Sequence, residues 1–331
     1  MRIKYIDRCK AVGIFLIIFY HTIFLHNFAD STYIVNFISL IMLPIFFILS
    51  GILKNIHPII LTKKFIRKRV IQLFIPYIIF SLISIFIKVL FFHNGKTVFE
   101  IIKNGFYLTF SFRGIDVLWF IPVLFFSEIL FLMLFEYNKN FIIVSIPFII
   151  IPLYIVANSH RFSNFLVTES MIPLASYVAL IFLLLGYYSH WIISLIEKNT
   201  GFQIVIISMY IYGVGLFKSK IDLHYFLFGN NFLMYIFLGF IGSLELIVIF
   251  KRTNKMNFKY LDWIGENSLY YMCLHLGLGI TTIATGFILS DDTTYVLALG
   301  IIYTIIQCIV LVYPTIVFNY IIKRCTQFKI S

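Results

Sequence analysis

The stretch VLWFIPVLFFSEILFLMLF, Val117–Phe135, runs for 19 residues with a single charged side chain, Glu128. As a helix rising ~1.5 Å per residue it is about 28 Å long, close to the ~30 Å thickness of a bilayer's hydrocarbon core. A transmembrane β-strand would instead alternate apolar and polar residues in segments of about ten. This run is continuous. Nine further stretches read the same way: Ala11–Phe28, Ile34–Leu53, Val70–Phe92, Phe141–Ala157, Met171–Tyr188, Phe202–Phe217, Phe232–Phe250, Ile264–Leu289 and Tyr295–Ile322. The sequence therefore predicts an all-α, polytopic membrane protein of about ten transmembrane helices. One domain covers 1–331, with no soluble domain, low-complexity tract or internal repeat.

Composition agrees. Hydrophobic residues make up 61% of the chain and charged residues 12%, against about 45–50% and ~25% in soluble domains. A single soluble core stops growing near ~250–300 residues, so a soluble fold would leave much of this surface in water.

Lysine and arginine favour the cytoplasmic side of a membrane. With the N-terminus inside, 19 of the 26 basic residues fall on cytoplasmic segments and six outside, with Lys88 within the third span. Both termini are expected in the cytoplasm. The net charge of +12 then reads as a topological signal in contact with anionic lipid, not as a nucleic-acid interface. No small-residue cleavage site follows the first apolar run, so that run is expected to stay as a span. Of the four cysteines, Cys9 and Cys325 fall on the cytoplasmic side and Cys273 and Cys308 within spans, which is no disulfide framework. The apolar, aromatic segment Thr97–Phe110, on the outer side, is expected to lie along the membrane surface.

A titratable group at membrane depth costs at least about 2.5–3.5 kcal/mol, so each one needs a reason. His21, ten residues beyond Ala11, lies ~15 Å deep. His275 and Glu128 lie at similar depth. Helix-packing hydrogen bonds are the plain alternative for the histidines, and an ion pair or protonation for Glu128. Glu245 and Lys88 sit near span ends, where snorkelling accounts for them. At about 100° per residue, Asp7, Lys10 and His21 fall on one face of the first span, and Ser268 and His275 on one face of the ninth. A polar stripe from the cytoplasmic end to mid-depth suits a catalytic tunnel or a transport path.

Five blocks then resemble, in order and spacing, the acyltransferase-3 family of integral membrane O-acyltransferases. They are YIDRCKAVGIFLIIFYH (Tyr5–His21), LPIFFILSGIL (Leu43–Leu53), FIRKRVIQLFIPY (Phe65–Tyr77), LWFIPVLFFSEIL (Leu118–Leu130) and WIGENSLYYMCLH (Trp263–His275). In the first, a basic residue precedes a histidine by ten intervening residues. Most members carry Arg where this chain has Lys10, and Lys there resembles the fucose 4-O-acetylase-like branch. Gln72 departs from the pattern, standing where a basic residue is common.

The resemblance implies acyl transfer from cytoplasmic acyl-CoA, with acetyl-CoA the expected donor and no metal. The expected acceptor is a hydroxyl of a glycan or lipid-linked saccharide at a bacterial inner membrane. A histidine of ordinary pKa near ~6.5 suits removal of the hydroxyl proton. His21 is the expected base, with Asp7 too far down the helix to orient it, and His275 and Glu128 are further catalytic candidates. Lys10, Arg67 and Arg69 are expected to meet the donor's phosphates, although topological charge accounts equally well for the arginines. Asp7, Trp119, Asn267 and Ser268 are expected to support substrate or structure, with helix packing the alternative for Trp119 and Asn267. The rival class is a proton-coupled glycan or small-solute transporter using the same histidines as a relay.

Overall fold

The computed structural model describes residues 3–24, 32–57, 61–92, 95–137, 139–158, 172–217, 219–229, 231–288 and 293–327. The extreme ends of the first, sixth and ninth expected spans lie outside these residues. The described chain is nearly all helix. In order come α1 (Lys4–Phe24), α2 (Thr32–Met42), α3 (Pro44–Ile56), α4 (Lys63–Phe91) and α5 (Val98–Phe110). A 3-10 turn, Asp116–Trp119, leads into α6 (Phe120–Tyr137), α7 (Lys139–Asn158), α8 (Ile172–Tyr188), α9 (His190–Lys198) and α10 (Thr200–Val214). A two-stranded antiparallel hairpin, β1 (Ile221–Asp222) and β2 (Leu227–Phe228), precedes α11 (Phe232–Arg252) and α12 (Lys259–Glu266). The chain continues with α13 (Ser268–Gly277), α14 (Ile280–Thr285), α15 (Thr293–Val310) and α16 (Val312–Gln327).

Among the described residues, five helices are long and apolar enough to cross a membrane: Tyr33–Ile56, Lys63–Phe91, Asp116–Phe135, Phe232–Arg252 and Tyr295–Ile322. The pair α8 and α9, bent by 58°, makes a sixth if counted as one span. On α15, Ile301, Ile302, Ile305, Ile306 and Ile309 are all exposed, an apolar face that suits lipid and not water. The protein is a multi-pass membrane protein.

Several continuous apolar runs are interrupted helices. The second expected span breaks at Leu43, where Pro44, which has no N–H to donate, opens α3. The ninth, Ile264–Leu289, is not one rod. Asn267 separates α12 from α13, and Gly279, in the left-handed region at φ 69°, separates α13 from α14. The tenth breaks at Leu311, with Pro314 in the first turn of α16. The segment expected along the membrane surface forms the helix α5, Val98–Phe110. Thr97 and Glu100 cap it reciprocally, and those hydrogen bonds hold the Glu100 carboxyl below its ordinary pKa.

The backbone divides into two compact units. The first comprises Met1–Gly13, Ala29–Leu61 and Phe126–Glu266. Its tightest seam is α3 on α8, where Gly51 lies against the Leu183 carbonyl and Gly186 against the Ile48 carbonyl. Small residues let helix backbones meet in this way. A Cβ at either position would overlap backbone that has no flexible end to move aside. Gly186→Ala is therefore expected to cost about 1–3 kcal/mol, as overpacking does, read as a lower Tm of the detergent-solubilised protein. Asn36, fully buried on α2, pins the hairpin by donating to the Ser219 carbonyl and accepting from the Ile221 N–H, both at 3.1 Å. Arg252 donates to the Ile196 and Glu197 carbonyls, capping the C-terminal end of α9.

Arg8 anchors the segment that follows α11. Although fully buried, it pairs with Asp262 at 2.7 Å, donates to the Thr253 and Met256 carbonyls at 3.0 and 2.8 Å, and lies over the Phe258 ring. Beside it, Gly265 packs onto the backbone of Asp7. Glu245 is also buried, contrary to the snorkelling reading. Gln203 donates to one of its oxygens at 2.9 Å and accepts from Arg252, while the other oxygen has no hydrogen-bond partner among the described residues.

The second unit comprises Ile14–Phe28, Thr62–Phe125 and Asn267–Ser331. Within it α4 packs on α5, where the Tyr77 hydroxyl donates to the Thr109 carbonyl at 2.8 Å. α13 packs on α4, α16 and the 3-10 turn, and the Tyr271 hydroxyl ties it to the Cys308 carbonyl of α15 at 3.0 Å.

Candidate functional site

α1 delivers His21 in its last turn, and α13 delivers His275. Both belong to the second unit. Their rings stand 5.5 Å apart between centroids with planes tilted by 37°. His21 is half-buried, and the Tyr20 ring stands nearly perpendicular to it, 5.3 Å away between centroids. His275 is fully buried. Its Nδ1 lies 3.1 Å from the Tyr271 carbonyl, one turn earlier. Since a carbonyl only accepts, Nδ1 carries the proton and Nε2 carries the lone pair. That Nε2 has no hydrogen-bond partner among the described residues. Burying an acceptor without a donor costs about 1–3 kcal/mol, and the fold carries that cost in a ring packed beside a second imidazole.

Around the pair lies a network of uncharged polar groups. Gln307 on α15 donates through Nε2 to Thr22 Oγ1 at 2.9 Å, and Thr22 donates in turn to the Ile18 carbonyl at 2.8 Å. Thr281 on α14 donates to Gln307 Oε1 at 2.7 Å, with its oxygen 3.2 Å from the His275 carbonyl. All three side chains are buried. Sequence reasoning weighed titratable groups at depth and passed over these. The available signal was a glutamine and a threonine in the middle of long apolar runs.

The other expected site residues fall as follows. Ser268 and His275 lie on one unbroken helix, with Ser268 half-buried at its start. Asn267 immediately precedes α13 and accepts from Asn319 at 2.9 Å. Trp119 is buried in the 3-10 turn, which packs on α13. Arg67 is exposed and Arg69 half-buried in the early turns of α4. Arg69 donates to Gln72 at 3.1 Å, so the glutamine that departs from the family pattern serves as its partner.

In the first unit, Lys10 approaches Asp7 at 3.9 Å, one turn apart on α1. Glu128 lies in an ion pair with Lys54 at 3.2 Å and accepts from Ser50 at 2.7 Å, and Lys54 and Glu128 are both buried. The structure thus brings His21 to His275, and it joins Glu128 to a lysine read from sequence only as a topological charge. Among the described residues no three His, Cys, Asp or Glu side chains gather as metal ligands. A cavity of about 150 Å³ between α4 and α5 is lined by Lys88, Lys96, Asn104 and Phe92. It is smaller than the ~300–1,000 Å³ of drug-sized ligand sites, and so too small for coenzyme A.

The chemistry open to this arrangement is proton abstraction by a reachable imidazole, with a second, buried imidazole packed beside it. In comparisons with known proteins, a family model described as an acyltransferase domain matches residues 3–313. No curated protein and no solved structure matches significantly.

Proposed function

Because the chain belongs to the acyltransferase-3 family, matched over residues 3–313, and is a membrane acyltransferase, we propose that it O-acetylates sugars. Acetyl-CoA from the cytoplasm is the donor, and a hydroxyl of a surface polysaccharide or its lipid-linked precursor in a bacterial plasma membrane is the acceptor. The observation that carries this reading is the His21–His275 pair at 5.5 Å.

His21 takes the hydroxyl proton as the sugar oxygen attacks the thioester carbonyl. The new C–O bond forms, the C–S bond breaks, and the imidazolium returns its proton to the departing thiolate. Half-buried, His21 can reach substrate, whereas His275 is wholly enclosed. The His275 ring, 5.5 Å away between centroids, forms one wall beside the imidazole that takes the proton. Lys10, Arg67 and Arg69 meet the donor's phosphates. A lysine does so as a point charge, without the arginine fork. Asp7, Trp119, Asn267 and Ser268 support the helices that carry these groups. Glu128 neutralises Lys54.

The test is release of CoA thiol from acetyl-CoA by the purified protein, with water standing in for the hydroxyl. Slow release above a protein-free control is expected. A proton-coupled transporter would show none, and that result would remove the proposal.

A further inference from the structure

We infer that Gln307 is a positioning residue for the histidine pair, holding the α1 turn of His21 against α13 through Thr22 and Thr281. The inference rests on the proposed role of His21 and adds residues that no reading of titratable groups reaches.

The argument is one of connectivity. Thr22 is the immediate neighbour of His21, and its hydroxyl is committed on both sides: it accepts from Gln307 at 2.9 Å and donates to the Ile18 carbonyl at 2.8 Å. Gln307 is committed at both ends as well, to Thr22 and to Thr281 at 2.7 Å. The Thr281 oxygen in turn lies 3.2 Å from the backbone carbonyl of His275. One amide therefore spans from the residue beside one histidine to a threonine on the short helix α14 that follows the other. Gln307 and Thr281 are buried, as is Thr22, so water does not compete for these bonds. A second tie acts on α13 from the same helix, since Tyr271 donates to the Cys308 carbonyl next to Gln307.

Apolar packing alone leaves α1 free to slide or turn slightly in its groove. The directed bonds of the amide fix rotation about the α1 axis, which is the coordinate that sets where the His21 ring points. A catalytic group misplaced by about 1 Å can lose on the order of 100-fold in rate.

The experiment compares Gln307→Leu, Thr22→Val, Thr22→Ser and His21→Gln as purified full-length protein, with acetyl-CoA hydrolysis measured per folded molecule. Leucine keeps much of the volume of glutamine and removes both bonds. Valine keeps the shape of threonine and removes its hydroxyl, while the helix's own Thr22 N–H still serves the Ile18 carbonyl. Gln307→Leu and Thr22→Val are expected to lower kcat at least about 10-fold with KM for acetyl-CoA within about twofold of wild type. Thr22→Ser, which retains the hydroxyl, is expected to stay near wild type. If Gln307→Leu does not accumulate, the Thr22 pair decides the matter alone. Full kcat in Thr22→Val, or a rise in KM matching the fall in kcat, overturns the inference. With His21→Gln inactive in the same series, either of those results overturns this inference and leaves the role of His21 standing. An active His21→Gln overturns the reading beneath it.

Discussion

His21→Gln is expected to lower acyl transfer by at least about 100-fold while the protein inserts and accumulates normally. General-base assistance is worth roughly 10²–10⁴-fold, and glutamine keeps much of the volume and a hydrogen bond but cannot take the proton. His21→Ala should fail to a similar degree. A histidine present only for packing would behave differently, tolerating Gln far better than Ala. His21 lies in the last turn of α1 and is half-buried, so neither substitution opens a large cavity in a closed core. Rate and amount are therefore separable by quantifying the folded protein before assay. Near wild-type acylation by His21→Gln at normal protein levels would shift the proton chemistry to His275, whose Nε2 lone pair is already free of partners.

What the sequence made legible follows from what each signal measures. Hydropathy registers how apolar a run is, so helix content and the membrane setting came through. It is blind to backbone breaks inside a run, and the interruptions at Leu43, Gly279 and Leu311 had no effect on it. Pro44 and Pro314 were the local clues to two of them. The energetic cost of charge at depth singled out His21, His275 and Glu128. Cost marks a residue without naming its neighbour. That His21 meets His275 depends on α1 and α13 packing across more than 250 positions of chain, which no local pattern encodes. Lys54 shows the converse failure. A lysine at a helix end reads as topological charge, and only the packing of α3 reveals that it is buried against Glu128. Arg8 shows the same limit, since a basic residue near the N-terminus carries no sign of the Asp262 carboxylate that receives it. Thr22, Thr281 and Gln307 bear no charge, so their cost at depth was too small to stand out.

Glu128 and Lys54 provide the second large effect. Lys54→Met removes the ammonium group from a buried carboxylate that also accepts from the Ser50 hydroxyl. Breaking one side of a buried ion pair costs about 3–5 kcal/mol, because the partner's charge stays desolvated. The expected result is a Tm lower by several degrees in detergent and reduced accumulation in the membrane. Replacing both partners by apolar residues of similar volume is often neutral or stabilising, so Lys54→Met combined with Glu128→Leu is expected to recover most of that loss. The shortfall from additivity in the double-mutant cycle measures the pair itself. Activity per folded molecule then decides what Glu128 is for. A carboxylate that serves only to neutralise Lys54 leaves the stable double variant catalytically competent. If the double variant is stable but inactive, Glu128 takes part in the chemistry, and its pairing with Lys54 is how the fold carries that carboxylate into an apolar interior.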